Sequence, residues 1–237
     1  GKIPMKKTVI AVALVALAPL SAQADLLFTV GAKASIWNAE PTGQIDTDVS
    51  VEEDGLNLEK ENGQQITVFF EHPVPFIPNV KIKQTSLEVS GSGNVAVDLS
   101  HTDLTLYWGL PLPIPFVDIN FGLSGRQFDG YAEVKSSTQT EHVDLDFVLP
   151  MVYGELKIDT PFGIYASADI NYVGYGDNKL SDVSYGLGYT LPIPVVDLGL
   201  EAGYRKMTLK TDPDDTDIET DLDISGVYYG ASLSVGF

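Results

Sequence analysis

Two kinds of connection alternate along this chain, and that alternation limits the fold more than any motif does. One kind is compact and Pro-rich: HPVPFIPNV (72–80), LPLPIPFVD (110–118), TPFG (160–163) and LPIPVVD (191–197). The other is polar: the long segment 38–63, then SGSGN (90–94), SSTQT (136–140), GDNK (176–179) and TDPDDTD (211–217). Four of the first and five of the second make nine connections, hence ten strands, with eight as the alternative. An even number of strands puts both ends on the side of the short turns. Proline suits those turns because it pre-sets φ and brings no N–H that needs a partner.

The segments between the connections have a period of two residues, the period of a strand with unlike faces. The predicted strands are 26–37, 64–72, 80–90, 97–110, 116–134, 142–158, 163–175, 180–191, 197–210 and 218–237. In the last, Val227, Tyr229, Ala231, Leu233, Val235 and Phe237 oppose Tyr228, Gly230, Ser232, Ser234 and Gly236. A repeat supports the register, since LPIPFVDINFGLSGR (112–126) returns as LPIPVVDLGLEAGYR (191–205), each ending on an arginine. Three strands lose phase. The sixth runs Val143, Leu145, Phe147, Leu149 and then Val152, Leu156, Ile158, which predicts a bulge near Pro150. The fourth changes phase between Leu99 and Leu104, and the third is expected to break near Ser86.

The start of the sequence reads as an export signal. Met5 is followed by Lys6 and Lys7, the apolar run TVIAVALVALAPL and SAQA, so residues 5–24 form a signal peptide with residues 1–4 upstream of it. The run is too short for a spanning helix. Cleavage after Ala24 leaves 25–237 as one domain, with 11 Lys and Arg against 33 Asp and Glu, a net charge of −22. So acidic a chain lacks the basic footprint of a nucleic-acid binder. Without cysteine it has no disulfide scaffold, no zinc–thiolate centre and no lipidated cysteine.

Alternation alone does not say whether the greasy face meets a core or lipid. Three features favour lipid. The polar face is rich in Gly, Ser, Thr and Asn, which suit a crowded lumen. Aromatics gather near strand ends, with Phe70, Phe76, Phe116, Tyr153, Phe162 and Phe237 on the turn side and Trp37, Tyr131, Tyr172, Tyr175 and Tyr204 toward the loops, as two interfacial belts would require. Finally, the last strand ends on Phe237. With Tyr229 it resembles the C-terminal signal that outer-membrane proteins present to the barrel-assembly machinery. The expected fold is therefore all-β, a transmembrane antiparallel up-and-down β-barrel.

On these features the mature chain resembles the small outer-membrane β-barrels of Gram-negative bacteria, and more narrowly an outer-membrane β-barrel family of gammaproteobacteria. The resemblance implies a monomer in the cell outer membrane, with lipid and lipopolysaccharide as its surroundings, the assembly machinery as its partner in biogenesis, no nucleic acid and no cofactor. Ten strands enclose a lumen only slightly wider than one that side chains fill, so the expected interior is narrow or plugged and the expected role structural or in surface interaction. A narrow porin-like channel is the first alternative, and a rim hydrolase of omptin or lipid-A deacylase type the second.

Candidate chemistry is sparse. His101 with Asp103, and His142 with Asp144, are spaced to share a strand face near the external end, where such a pair could activate water. The bland reading of solvated loop-end residues outweighs it, and no catalysis is expected. Asp212, Asp214, Asp215 and Asp217 offer oxygen ligands without the spacing of a calcium loop, so a hydrated charge run is expected instead of a metal site. Lys33, Glu71, Asp118, Arg126, Asp169, Glu201 and Arg205 fall on the polar face. Charges in a narrow lumen should pair, because an unpaired one there is costly. Arg126 and Arg205, placed alike in the repeat, are the expected cationic anchors.

Overall fold

A computed structural model describes residues 28–45, 59–91, 95–111, 114–135, 140–211 and 220–237. The signal segment, the acidic run 212–219 and the acids from Asp46 to Asp54 lie outside the described residues.

Twelve strand segments form one antiparallel sheet: β1 (Thr29–Ile45), β2 (Glu61–Glu71), β3 (Asn79–Ser86), β4 (Glu88–Gly91), β5 (Val95–Asp98), β6 (His101–Gly109), β7 (Val117–Lys135), β8 (Thr140–Asp159), β9 (Ile164–Tyr175), β10 (Asn178–Ile193), β11 (Val196–Thr211) and β12 (Thr220–Gly236). Successive staves pair, and β12 returns to β1, so the sheet closes. Closure removes the free edges that a lipid environment would not tolerate. At the seam, Phe28 and Phe237 exchange two backbone hydrogen bonds of 2.9 Å and stack with ring centroids 6.0 Å apart. β3 and β4 are two halves of one stave, and so are β5 and β6, which makes ten barrel strands. The two hinges are stitched together: Leu99 N–H donates to Leu87 O at 2.8 Å, and Leu87 N–H to Ser100 Oγ at 3.1 Å.

The phase losses have a different cause from the one expected. No bulge occurs at Pro150, since β7 and β8 stay in unbroken register from Val117↔Ile158 to Lys135↔Thr140, with Gly125 opposite Pro150. Parity also holds through the other two staves. Residues 81, 83, 85, 87 and 89 all face inward, as do 97, 99, 101, 103, 105 and 107. The backbone keeps its period while the chemistry of the faces inverts part-way up the barrel.

In the half nearest the short turns, apolar side chains point out and polar ones in. In the half nearest the loops, the order is reversed. On β12, Val227, Tyr229, Ala231 and Leu233 point outward below, whereas Asp221 and Asp223 do so above. The inward face passes from Ser232 and Gly230 to Ile224 and Leu222. The loop half therefore has an apolar core inside the barrel: Trp37, Ala39, Leu87, Val89, Leu99, Phe128, Met151, Leu180, Met207, Leu222 and Ile224. Its outer face, with Glu40, Gln64, Ser86, Gln127, Lys206 and Lys210, suits water. Two aromatics expected in interfacial belts are thus interior. Trp37 is 0% exposed within the upper core, and Tyr153 points into the lumen.

The inner glycines of the turn half make room for rings. A Cβ at Gly188 would collide with Tyr165, and one at Gly203 would crowd Tyr228. Their lack of a side chain lets a narrow lumen hold large residues.

Candidate functional site

The interior changes character at a layer of fully buried charge. β7 carries Arg126 and β11 carries Arg205, both 0% exposed. Arg126 grips Asp103 of β6 with both prongs, Nε to Oδ1 at 2.7 Å and Nη2 to Oδ2 at 2.8 Å, and also donates to Asp182 Oδ2 at 2.5 Å. Arg205 grips the same Asp182 of β10 with its own fork, Nε to Oδ1 at 2.8 Å and Nη2 to Oδ2 at 2.6 Å. Asp182 is thus the pivot between the two guanidiniums. Planar bidentate pairing is the geometry for which arginine is better suited than lysine.

Arg205 has further partners. Arg205 reaches Thr85 Oγ1 at 3.3 Å and His101 Nε2 at 3.3 Å, and its guanidinium lies 4.5 Å over the Trp37 ring. Since His101 Nδ1 is 2.8 Å from Leu99 O, it carries the proton there, and Nε2 is left to accept from Arg205. The imidazole is therefore neutral in this arrangement, and two guanidiniums face two carboxylates. Charge balance and complete hydrogen bonding are what a buried ionic cluster needs to offset its desolvation.

His101, Asp103 and Asp182 offer ligand atoms within 4.8 Å of one another, the spacing of a metal site. The donor set does not fit one, because the carboxylate oxygens already bind guanidinium N–H groups. A cation added there would stand against two arginines.

Below this layer the lumen opens into a cup of about 760 Å³ that faces the turn end. Ion pairs with tyrosine partners line it. Lys33 pairs with Glu201, which also accepts from Tyr165 at 2.9 Å and Tyr228 at 2.6 Å. Lys81 pairs with Glu155 at 2.5 Å, and Asn120 donates to the same carboxylate at 3.0 Å. Tyr107 donates to Glu71 at 2.8 Å, and Lys83 lies 3.9 Å from Asp169 across the lumen.

The seven residues read as lumen charges all face the interior. Arg126 and Arg205 form the closing layer, while Lys33, Glu71, Asp118, Asp169 and Glu201 line the cup. The pair expected at the rim is elsewhere: His101 and Asp103 are each 1% exposed, inside the barrel, because their parity is that of the inner face. His142 lies on β8 opposite Glu133, and Asp144 opposite Tyr131, on the hairpin that extends past the end of β9. Asp212, Asp214, Asp215 and Asp217 lie outside the described residues. At the closing seam, Tyr229 points outward and Phe237 stacks on Phe28.

Four participants were missed. Asp182 shares a face with Ser184, so parity could have found it. Lys81, Lys83 and Glu155 sit on strands whose phase was misread where the faces invert.

No protein-family model and no curated protein sequence matches the chain. Similar solved structures are outer-membrane β-barrels at low identity. Neisserial surface protein A is 14% identical over 89% of this chain and 97% of its own, with a TM-score of 0.36. The β domain of the Bordetella autotransporter BrkA is 8% identical over 89% and 100%, with a TM-score of 0.46. The translocator domain of the autotransporter NalP from Neisseria meningitidis is 12% identical over 91% and 90%, with a TM-score of 0.45.

Proposed function

We propose that this chain is an integral outer-membrane barrel of the Gram-negative type, nearest to the gammaproteobacterial family it resembles. In this reading it has a structural or surface-interaction role and no catalytic one. The turn half spans the bilayer, with an outward band from Val30 to Ile36 on β1 and from Val183 to Ile193 on β10. The short turns face the periplasm, and the loop half stands in water outside. The observation that carries a closed lumen is the layer of Arg126, Asp103, Asp182, Arg205 and His101, each at most 1% exposed, with an apolar core stacked on it. Ions entering the cup from the turn end meet a charge-balanced, fully buried wall and then an apolar one.

The cup itself supports the second reading, a narrow channel for small solutes, if the layer rearranges under voltage. Conductance of the refolded barrel in planar bilayers separates the two, with folding verified by heat-modifiable gel migration. Silence at low and high salt is the expected result. Discrete steps from the unaltered protein would overturn the closed-lumen reading.

A further inference from the structure

Each of the four short turns carries a left-handed residue, and in three of them that residue is not glycine, a strain that the barrel alone does not require. Phe76, Phe116 and Val195 adopt φ values of 69°, 66° and 74°, each directly after a proline, and Gly163 takes 84° in the fourth turn. The left-handed region is where glycine or asparagine belongs, and a bulky or β-branched residue there costs energy. Yet these side chains are not packed away. Phe76 is 95% exposed, Phe162 80%, Val195 70% and Phe116 54%.

The strain re-aims carbonyls. Phe76 O accepts from Trp108 Nε1 at 3.1 Å, Phe116 O from Asp159 N–H at 2.8 Å, and Gly163 O from Thr190 N–H at 2.8 Å. In three of the four turns, the left-handed residue thus hands its carbonyl to a neighbouring stave. Donors are treated the same way. In the turn 72–78, Pro73, Pro75 and Pro78 have no N–H, His72 N–H donates to Asn79 Oδ1 at 2.9 Å, and Val74 N–H donates to His72 Nδ1 at 3.1 Å. His72 Nε2 then meets Pro78 O at 3.2 Å, so one neutral ring serves both ends of the turn. Water would have solvated such groups at no structural cost. Internal satisfaction of turn backbone matters where water is scarce.

We propose that the outer rim of the turn end is sunk in the lipid of the inner leaflet while the mouth of the cup stays open to the periplasm, with Val74, Phe76, Phe116, Phe162 and Val195 as apolar anchors. The proposal rests on the outer-membrane reading above and names the medium that meets this end. Lipid is favoured over a docked protein for two reasons. The anchors occur on all four turns around the circumference, and they continue the outward apolar band through Phe70, Ile164 and Leu198. The turn tips 72–78, 110–116, 160–163 and 194–195 also contain no Asp, Glu, Lys or Arg, and the flanking Asp118, Asp159 and Asp197 line the cup.

The absence of cysteine makes the test direct. A nitroxide is attached in turn to Phe76→Cys, Phe116→Cys and Phe162→Cys, with Leu200→Cys as the band control and Lys210→Cys as the aqueous control, in barrels refolded into vesicles. The ratio of collisions with oxygen to collisions with a water-soluble nickel chelate is read at each site. The turn sites are expected to group with Leu200, severalfold above Lys210. Turn sites that group with Lys210 while Leu200 remains lipid-like would overturn the inference and leave the barrel in its membrane. A water-like Leu200 would instead remove the outer-membrane reading, and this inference with it. Phe162→Cys sits beside the left-handed glycine and not on a left-handed residue, so one site remains informative if the strained positions do not tolerate a label.

Discussion

On β11, Leu200 and Lys206 point to the same outer side of the barrel, and nothing in the backbone between them alters the alternation. One belongs to the exposed apolar band, the other carries an exposed ammonium paired with Asp223 of β12 at 2.7 Å. Across the wall the inversion is mirrored. Glu201 belongs to a wet, ion-paired cup, while Met207 belongs to an apolar core. The lower half of the barrel has an apolar exterior and a polar interior, as the proposed membrane reading requires, and the upper half is built like a water-soluble barrel with a hydrophobic interior. The buried arginines sit where the two interiors meet, with the cup below them and apolar contacts above, the Trp37 ring 4.5 Å from the Arg205 guanidinium and Met207 Sδ 3.5 Å from Arg126. A charged layer at that height tolerates both neighbours because each guanidinium fork is matched by a carboxylate.

Removing the pivot should produce the largest effect. Asp182→Ala leaves two guanidiniums facing one carboxylate, and loss of one partner from a buried pair costs about 3–5 kcal/mol. Urea unfolding of the refolded barrel measures it, and a loss under about 1 kcal/mol would show that water reaches this layer. Next comes the contrast between outer faces. Leu200→Arg should cost about 2–4 kcal/mol, as an arginine on the lipid face of a barrel does. Lys206→Leu, on the same face of the same strand, should change stability by no more than about 0.5 kcal/mol. Equal costs at the two positions would erase the boundary between the halves.

Smaller effects sharpen the comparison. Ile224→Val deletes one methylene from the upper core and should cost about 0.5–1.5 kcal/mol, the range for dry, packed interiors. No measurable loss would mean that the upper lumen is hydrated. The smallest effect concerns Asp223, on the outer face of the loop half. Partial burial acts to raise its carboxyl, but hydrogen bonds from Lys206 and Thr208 outweigh that and hold it below its ordinary value. A depressed carboxylate stabilises the fold above its unfolded pKa, and the contribution is lost as pH falls through the folded value. Stability measured from neutral pH downward should therefore drop slightly more for the wild type than for Asp223→Asn. The difference is about 0.2–1 kcal/mol, typical of an exposed pair.

Much of this architecture was legible from local pattern. Period two is a property of each strand by itself, so the clean strands and the strand count could be read directly. The inward charges followed from the same parity, as did Arg126 and Arg205 through their repeat. The misreadings share one origin. At Pro150, at Leu99 and at Ser86, the faces change what they are made of and keep the way they point. Hydrophobicity reports the surroundings of a residue, and both faces of this wall change character part-way along it, so the signal reverses while the geometry does not. His101 and Asp103 were sent to the rim for the same reason, since nothing in HTD says how far the wall continues above it.

The sequence by itself determined a closed even-stranded barrel, its inner and outer faces, and turns poor in donors. These depend on neighbours a few residues apart. Only the tertiary structure decided that Asp182 would join two arginines, that His101 would accept from one of them, and that Lys83 would lie near Asp169. Arg205 and His101 are 104 positions apart in the chain, and Lys33 and Glu201 are 168. Which side chains face each other across a lumen depends on closure and on the stagger of every strand between them, and no local period encodes that sum.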